Sequence, residues 1–161
     1  VNAVNLTDGI DGLNASVTFF NGIFFIVISG ILGMLCFGIV SAALVGGCLG
    51  FLMFNLHPAK VFMGDTGSLF LGGMICAIIF GMNIPIILPI IGAIYIMEMF
   101  SVMLQVTYFK LTKGKRLFKM SPIHHHFEMC GFSEYKICTV FSALTILFGI
   151  LSVVIVKLFI A

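Results

Sequence analysis

The sequence predicts an all-α protein, a polytopic bundle of transmembrane helices. Three observations carry that prediction: an extreme apolar composition, long apolar runs, and the gathering of nearly all charge into three polar loops. Of the 161 residues, 61% are hydrophobic and 9% charged, and the mean hydropathy is +1.24. A soluble domain carries roughly a quarter charged residues. A chain this apolar cannot present a polar surface to water, so its solvent is a lipid bilayer. A formal net charge of +2 with no arginine-rich run argues against nucleic acid as a partner. The five cysteines (Cys36, Cys48, Cys76, Cys130, Cys138) form no CxxC and sit mostly in apolar segments, as small core hydrophobes do.

Five spans are expected. The first covers about residues 16–37 and the second about 39–54. The third covers about 68–82, the fourth about 85–109 and the fifth about 135–160. The second and third fall short of the roughly 20 residues a bilayer needs, unless they extend into their flanking loops. Gly33, Gly38, Gly46, Gly47, Gly50, Gly72 and Gly73 are expected to thin the helix walls for close packing in lipid. Pro85 and Pro89 open the fourth span, and Pro89 is expected to kink it.

The loops, about 1–15, 55–67 and 110–134, are separated by two spans each, so all three should emerge on one membrane face. That face carries Lys60, Lys110, Lys113, Lys115, Arg116 and Lys119, against Lys157 near the other side. By the positive-inside rule it is cytoplasmic, and the C-terminus lies outside. Every Asp and His, and two of the three Glu, fall on or beside these loops. Charged groups collected at one face from separate hairpins suit an active site.

In the first loop Asn5, Asp8 and Asp11 recur every three residues, so a helical turn would stack them on one face. Two carboxylates and an amide suit a divalent cation or a metal-bridged diphosphate; capping and turn formation is the competing role. An EF-hand does not fit, because Phe19 stands where the bidentate Glu belongs. The second loop ends in Gly64-Asp65-Thr66-Gly67-Ser68 at the start of the third span. Free amides at a helix N-terminus favour anions, and Asp65 is either a cap or a cation ligand there. Lys60 is a candidate phosphate contact and Phe62 a candidate stacking platform, whereas His57 reads as a plain loop residue.

The third loop holds Ser121-Pro122-Ile123-His124-His125-His126-Phe127-Glu128. Three consecutive histidines point apart on any backbone, which favours phosphate contacts over joint metal binding. Inside the fourth span Glu98, Ser101 and Gln105 make one polar stripe. It either lines a cavity or bonds neighbouring helices.

Taken together, residues 5–12, 55–73 and 122–128 resemble, in order and spacing, the motifs of the polyprenyl-phosphate N-acetylhexosamine-1-phosphate transferase family. The resemblance covers essentially the whole chain. It implies a single catalytic membrane domain of about ten helices, of which this chain supplies the last five. Because the chain starts at Val1 rather than Met, it is expected to be N-terminally incomplete. His124-His125-His126-Phe127-Glu128 after Lys113-Gly114-Lys115-Arg116 is similar to the members that take UDP-MurNAc-pentapeptide and undecaprenyl phosphate. Those members yield lipid I and UMP for peptidoglycan synthesis, with Mg²⁺, at the bacterial cytoplasmic membrane.

By the same resemblance Asn5 and Asp65 meet the metal, and Asp8 is an essential acid near the diphosphate. Asp65 and His125 join Asp8 as catalytic. Asp11, Asn55 and Phe62 line the uridine pocket, and Gln105, His124, His125 and His126 lie around the nucleotide and sugar-phosphate path. A second copy of the chain is an allowed partner. The family's paired-aspartate motif has no counterpart here, so this chain alone is expected to be inactive. Two other readings compete: a sibling transferase using UDP-GlcNAc, and a metal or anion transporter using Glu98 and the histidines.

Overall fold

The structure, a computed structural model, describes residues 1–160. Among them it is helical, with no strand. Helix α1 (Asn2–Leu6) and α2 (Leu13–Ile31) precede α3 (Leu35–Asn55) and α4 (Gly64–Gly81). A 3₁₀ turn at Pro85–Ile87 leads into α5 (Leu88–Ile91) and α6 (Ala93–Leu111). Then come α7 (Ile123–Glu128) and α8 (Glu134–Phe159). Helices α2, α3, α4 and α8 are each long and apolar enough to cross a membrane, and the bent pair α5–α6 makes a fifth crossing if counted as one.

The expected five apolar segments are present, with shifted boundaries. The first ends earlier than expected, at Ile31, because the chain reverses there. Gly33 takes φ +69 and the Met34 N–H donates back to the Ser29 carbonyl at 2.8 Å. Leu35 to Phe37 therefore belong to α3, not to the first span. Helices α3 and α4, expected to be short, have 21 and 18 residues. At 1.5 Å per residue they reach about 31 and 27 Å, which matches a hydrocarbon core.

The fourth span corrects the expected kink. Pro85 and Pro89 each sit in the first turn of a helical segment, where a missing N–H leaves no bond unmade. The break falls at Gly92 instead, and the axes before and after it differ by 72°. A Cβ on Gly92 would lie 2.7 Å from the Leu88 carbonyl oxygen, so this bend requires glycine.

Helix α2 is the axis of the bundle. Eleven of its 19 residues are buried, against five of 21 in α3. Its Leu13, Val17, Phe25 and Ile28 join Ile75, Ile78 and Ile79 of α4 and Ile137 and Phe141 of α8 in one core. The glycines that bring helices together are mostly not those expected. A Cβ on Gly22 would meet Val45 of α3 at 2.7 Å, and one on Gly149 of α8 would overlap the Phe24 ring. Gly46, Gly47, Gly50 and Gly73 instead face open space. Large apolar side chains such as Leu35, Met53, Phe70 and Leu147 are likewise exposed, as a lipid solvent requires.

All five cysteines are free. The three polar loops come together at one end of the bundle, through the contacts described next.

Candidate active site

Helix α1 stops after one turn. The Thr7 hydroxyl donates to the Ala3 carbonyl at 2.9 Å, and Asp8 to Gly12 then run in tight turns. Asn5, Asp8 and Asp11 therefore do not stack on one helical face, which corrects the expectation from their spacing. The turns send them to different partners.

Asn5 faces α4. Its Nδ2 donates to Asp65 Oδ1 and to Ser68 Oγ, each at 2.9 Å. Asp65 stands in the first turn of α4, and no side chain caps that helix start. Asp8 is half-buried beside them. Burial pushes its carboxyl up from the ordinary value of 3.8; the Asn14 amide pulls it down, and the nearby Asp65 charge adds to the rise.

Asp11 turns away to the second loop. Its Oδ2 accepts from His57 Nδ1 at 3.0 Å and from the Ala59 N–H at 2.9 Å. The same His57 nitrogen lies 3.5 Å from Glu134 Oε1, while Glu134 Oε2 accepts from the Asp11 N–H at 3.1 Å. Tyr135 donates its hydroxyl to the His57 carbonyl. His57, expected to be an ordinary loop residue, is instead the hub that ties all three loops. Neither His57 nor Glu134 carried a sequence signal, because their contacts cross 46 and 123 positions.

Asn55 closes the second loop from below. Its Oδ1 accepts from the Gly12 N–H at 3.1 Å and its Nδ2 donates to the Val61 carbonyl at 2.9 Å, so both ends of the amide are engaged. Beyond it the loop offers Lys60 and the ring of Phe62, which is 75% exposed. Gln105 is engaged too. Its Oε1 accepts from the Leu117 and Phe118 N–H groups at 3.1 and 2.8 Å, and it also borders an open cleft of about 390 Å³ beside Lys110 and Arg116.

The histidine triplet forms helix α7, and its rings do not all point apart as expected: those of His124 and His125 lie 4.3 Å centroid to centroid, while His126 turns to Phe118. His126 Nδ1 accepts from the Lys119 N–H at 3.1 Å, and His125 Nδ1 lies 2.9 Å from Glu128 Oε2. His124 turns inward, fully buried, with Nδ1 3.0 Å from Oε2 of an equally buried Glu98. This approach lies off the line of a hydrogen bond, so both groups keep unpaired capacity. The Glu98, Ser101, Gln105 stripe thus meets protein rather than an open cavity, apart from the edge of Gln105. Ser101 donates its hydroxyl to the Glu98 carbonyl at 2.6 Å.

The distribution of charge partners is selective. Among the described residues Asp11, Glu98, Glu128 and Glu134 each pair with a histidine. Among the same residues Asp8 and Asp65 pair with no cationic side chain, and no Lys or Arg pairs with an Asp or Glu. Two like charges side by side, flanked by the Asn5 amide and the Ser68 hydroxyl, form a hard oxygen-rich donor set. That set fits Mg²⁺. The Asp11, His57, Glu134 group also places its ligand atoms within 4.8 Å, but its imidazole is already held by carboxylates. Ser68 and Asn14, both buried here, had no site role assigned from the sequence, although Ser68 closes the Gly64–Ser68 motif.

Known proteins match this chain closely. The model of glycosyl transferase family 4 matches residues 1–83. A phospho-N-acetylmuramoyl-pentapeptide-transferase of Caldicellulosiruptor bescii is 53% identical over 158 residues, covering 98% of this chain and 49% of the relative. Proteins of the same name from Clostridium botulinum and Clostridium perfringens are 55% and 56% identical. Those two matches cover 93% and 91% of this chain, and 46% of each relative. The chain spans about half the length of the curated relatives it matches.

Proposed function

The chain belongs to glycosyl transferase family 4, and on that footing we propose that it forms about half of a membrane phospho-sugar transferase. The donor is UDP-MurNAc-pentapeptide, the acceptor undecaprenyl phosphate, and the products lipid I and UMP in peptidoglycan synthesis. A phosphate oxygen of the lipid forms a bond to the sugar-bearing phosphorus of the donor. The bond from that phosphorus to UMP breaks, and UMP leaves with the electron pair. One diphosphate is exchanged for another, so the reaction is near balance.

The observation that carries this reading is the pair Asp8 and Asp65, the only Asp or Glu side chains among the described residues that no imidazole, Lys or Arg approaches. Asp65, Asp8 and Asn5, with Ser68 behind them, would hold Mg²⁺. Bound there, Mg²⁺ would supply positive charge against the donor diphosphate and the departing UMP. The uncapped first turn of α4 directs its amides toward the same anion. Phe62 offers a ring face to the uracil, with Lys60 nearby for phosphate. Asp11, locked to His57, shapes the nucleotide side and holds the second loop in place. His125 stands beside the turn that carries Asp8, where a ring N–H can donate to a phosphate oxygen. The reaction takes place on the cytoplasmic side, where the basic residues of the loops collect.

The test uses the intact protein in detergent micelles with undecaprenyl phosphate. UMP release from UDP-MurNAc-pentapeptide, dependent on Mg²⁺ and accompanied by a lipid-linked product, is the expected result. Release from UDP-GlcNAc in its place would shift the donor assignment to the sibling transferases. No release from either donor, with ion flux into liposomes lacking lipid substrate, would replace the reading with transport.

A further inference from the structure

Glu98 lies on α6 among apolar neighbours, and a carboxylate at such a site is costly unless another group engages it. Its partner is 26 positions away. His124 of α7 is fully buried, as is Glu98, and the two approach to 3.0 Å. On its other side the His124 ring packs against Gly9, so tightly that a Cβ on Gly9 would overlap the imidazole. The same Cβ would lie 3.2 Å from His125 Nε2. The turn that presents Asp8 therefore rests on two histidine rings, and the inner ring is backed by Glu98. A glycine next to Asp8 is what lets the turn settle this close.

We propose that Glu98 is a positioning residue: through His124 it fixes α7 under the Asp8–Gly9 turn and so sets where the Asp8 carboxylate stands. Glu98 itself touches no substrate. A loop held only at its ends would let Asp8 wander, and catalysis depends steeply on placement at the scale of an ångström. The kinetic part of this inference rests on the transferase reading, whereas its structural part does not.

Two measurements on the intact detergent-solubilised protein test it. The first needs no activity. In ligand-free protein, Glu98→Gln should speed backbone hydrogen exchange over residues 7–12 by about ten-fold or more, with exchange in α8 unchanged. Unchanged exchange in the turn overturns the proposal. The second is a double-mutant cycle in UMP release. Glu98→Gln should lower kcat by about 30-fold with KM for the donor within about two-fold, and His124→Asn combined with it should be no slower than His124→Asn alone. Independent multiplication of the two losses, or a normal kcat in Glu98→Gln, overturns it. Should Glu98→Gln fail to fold, Gly9→Ala gives the same reading from the other side. It should raise exchange in the turn and lower kcat alike, and full activity with slow exchange overturns the proposal. If the wild type releases no UMP, the transferase reading fails while the exchange experiment still decides this one.

Discussion

Two groups of acids share one end of the bundle and are treated in opposite ways. Asp11, Glu134, Glu128 and Glu98 are each met by an imidazole, and three of those four pairs join different segments of the chain. Asp8 and Asp65 lie near each other, and each is met by a side-chain amide, Asn14 for Asp8 and Asn5 for Asp65. The first group spends its charge inside the protein and fastens loops together. The second has no imidazole beside it; Asp65 is exposed and Asp8 half-buried, which leaves both open to an external cation. The contrast separates scaffold from chemistry more clearly than residue type does, since both groups are carboxylates.

Breaking the uncompensated pair should produce the largest effects. Asp65→Asn in the intact enzyme is expected to lower kcat about a thousand-fold while the thermal midpoint stays near wild type. Normal Mg²⁺-dependent turnover in that variant would remove Asp65 from the chemistry. Asp8→Asn should cost about a hundred-fold in turnover and should also affect stability. The folded state holds the Asp8 carboxyl above 3.8, so it binds the proton more readily than the unfolded chain does. Its contribution is favourable below the unfolded value and is lost as pH rises through the folded one. In chelator at neutral pH, Asp8→Asn should raise the thermal midpoint by about 1–2 °C, and this gain should vanish below about pH 4. A midpoint lower than wild type at neutral pH would mean that the carboxylate is compensated after all.

The paired group should respond differently. His125→Ala, beside the Asp8 turn, is expected to slow turnover by about a hundred-fold, and His57→Ala by about ten-fold. His57→Ala should instead lower the thermal midpoint by several degrees, because it leaves the Asp11 and Glu134 carboxylates facing each other. The reverse ranking of the two histidines would exchange their roles. The smallest effect is expected at Phe62→Ala: donor KM up about ten-fold, as loss of one base-stacking face implies, with kcat within about two-fold.

Much of this was legible from the residues. Apolar runs located the membrane helices, and loop parity put the polar segments together. The oxygen-rich pair Asn5 and Asp65 was visible in its motifs. The hubs were not legible, because periodicity reports neighbours along one helix and says nothing of partners across 26, 46 or 123 positions. His57 is one residue in a loop until Asp11 and Glu134 arrive on either side of it. Glu98 stood out as an acid in an apolar span, but the ring that meets it could be found only in three dimensions. The glycines misled for a related reason. Small residues mark permission for close approach, and which of them is used depends on the facing side chain, as Val45 and Phe24 decide for Gly22 and Gly149.

The crowding of histidines on α7 has a practical consequence for anyone altering it. Its three adjacent imidazoles have three different partners: the buried Glu98, Glu128 and the Lys119 backbone amide. Replacing the triplet as a block would disturb all three contacts at once, and no single cause could be recovered from the result. Only one-at-a-time exchanges can tell a broken brace from a missing donor.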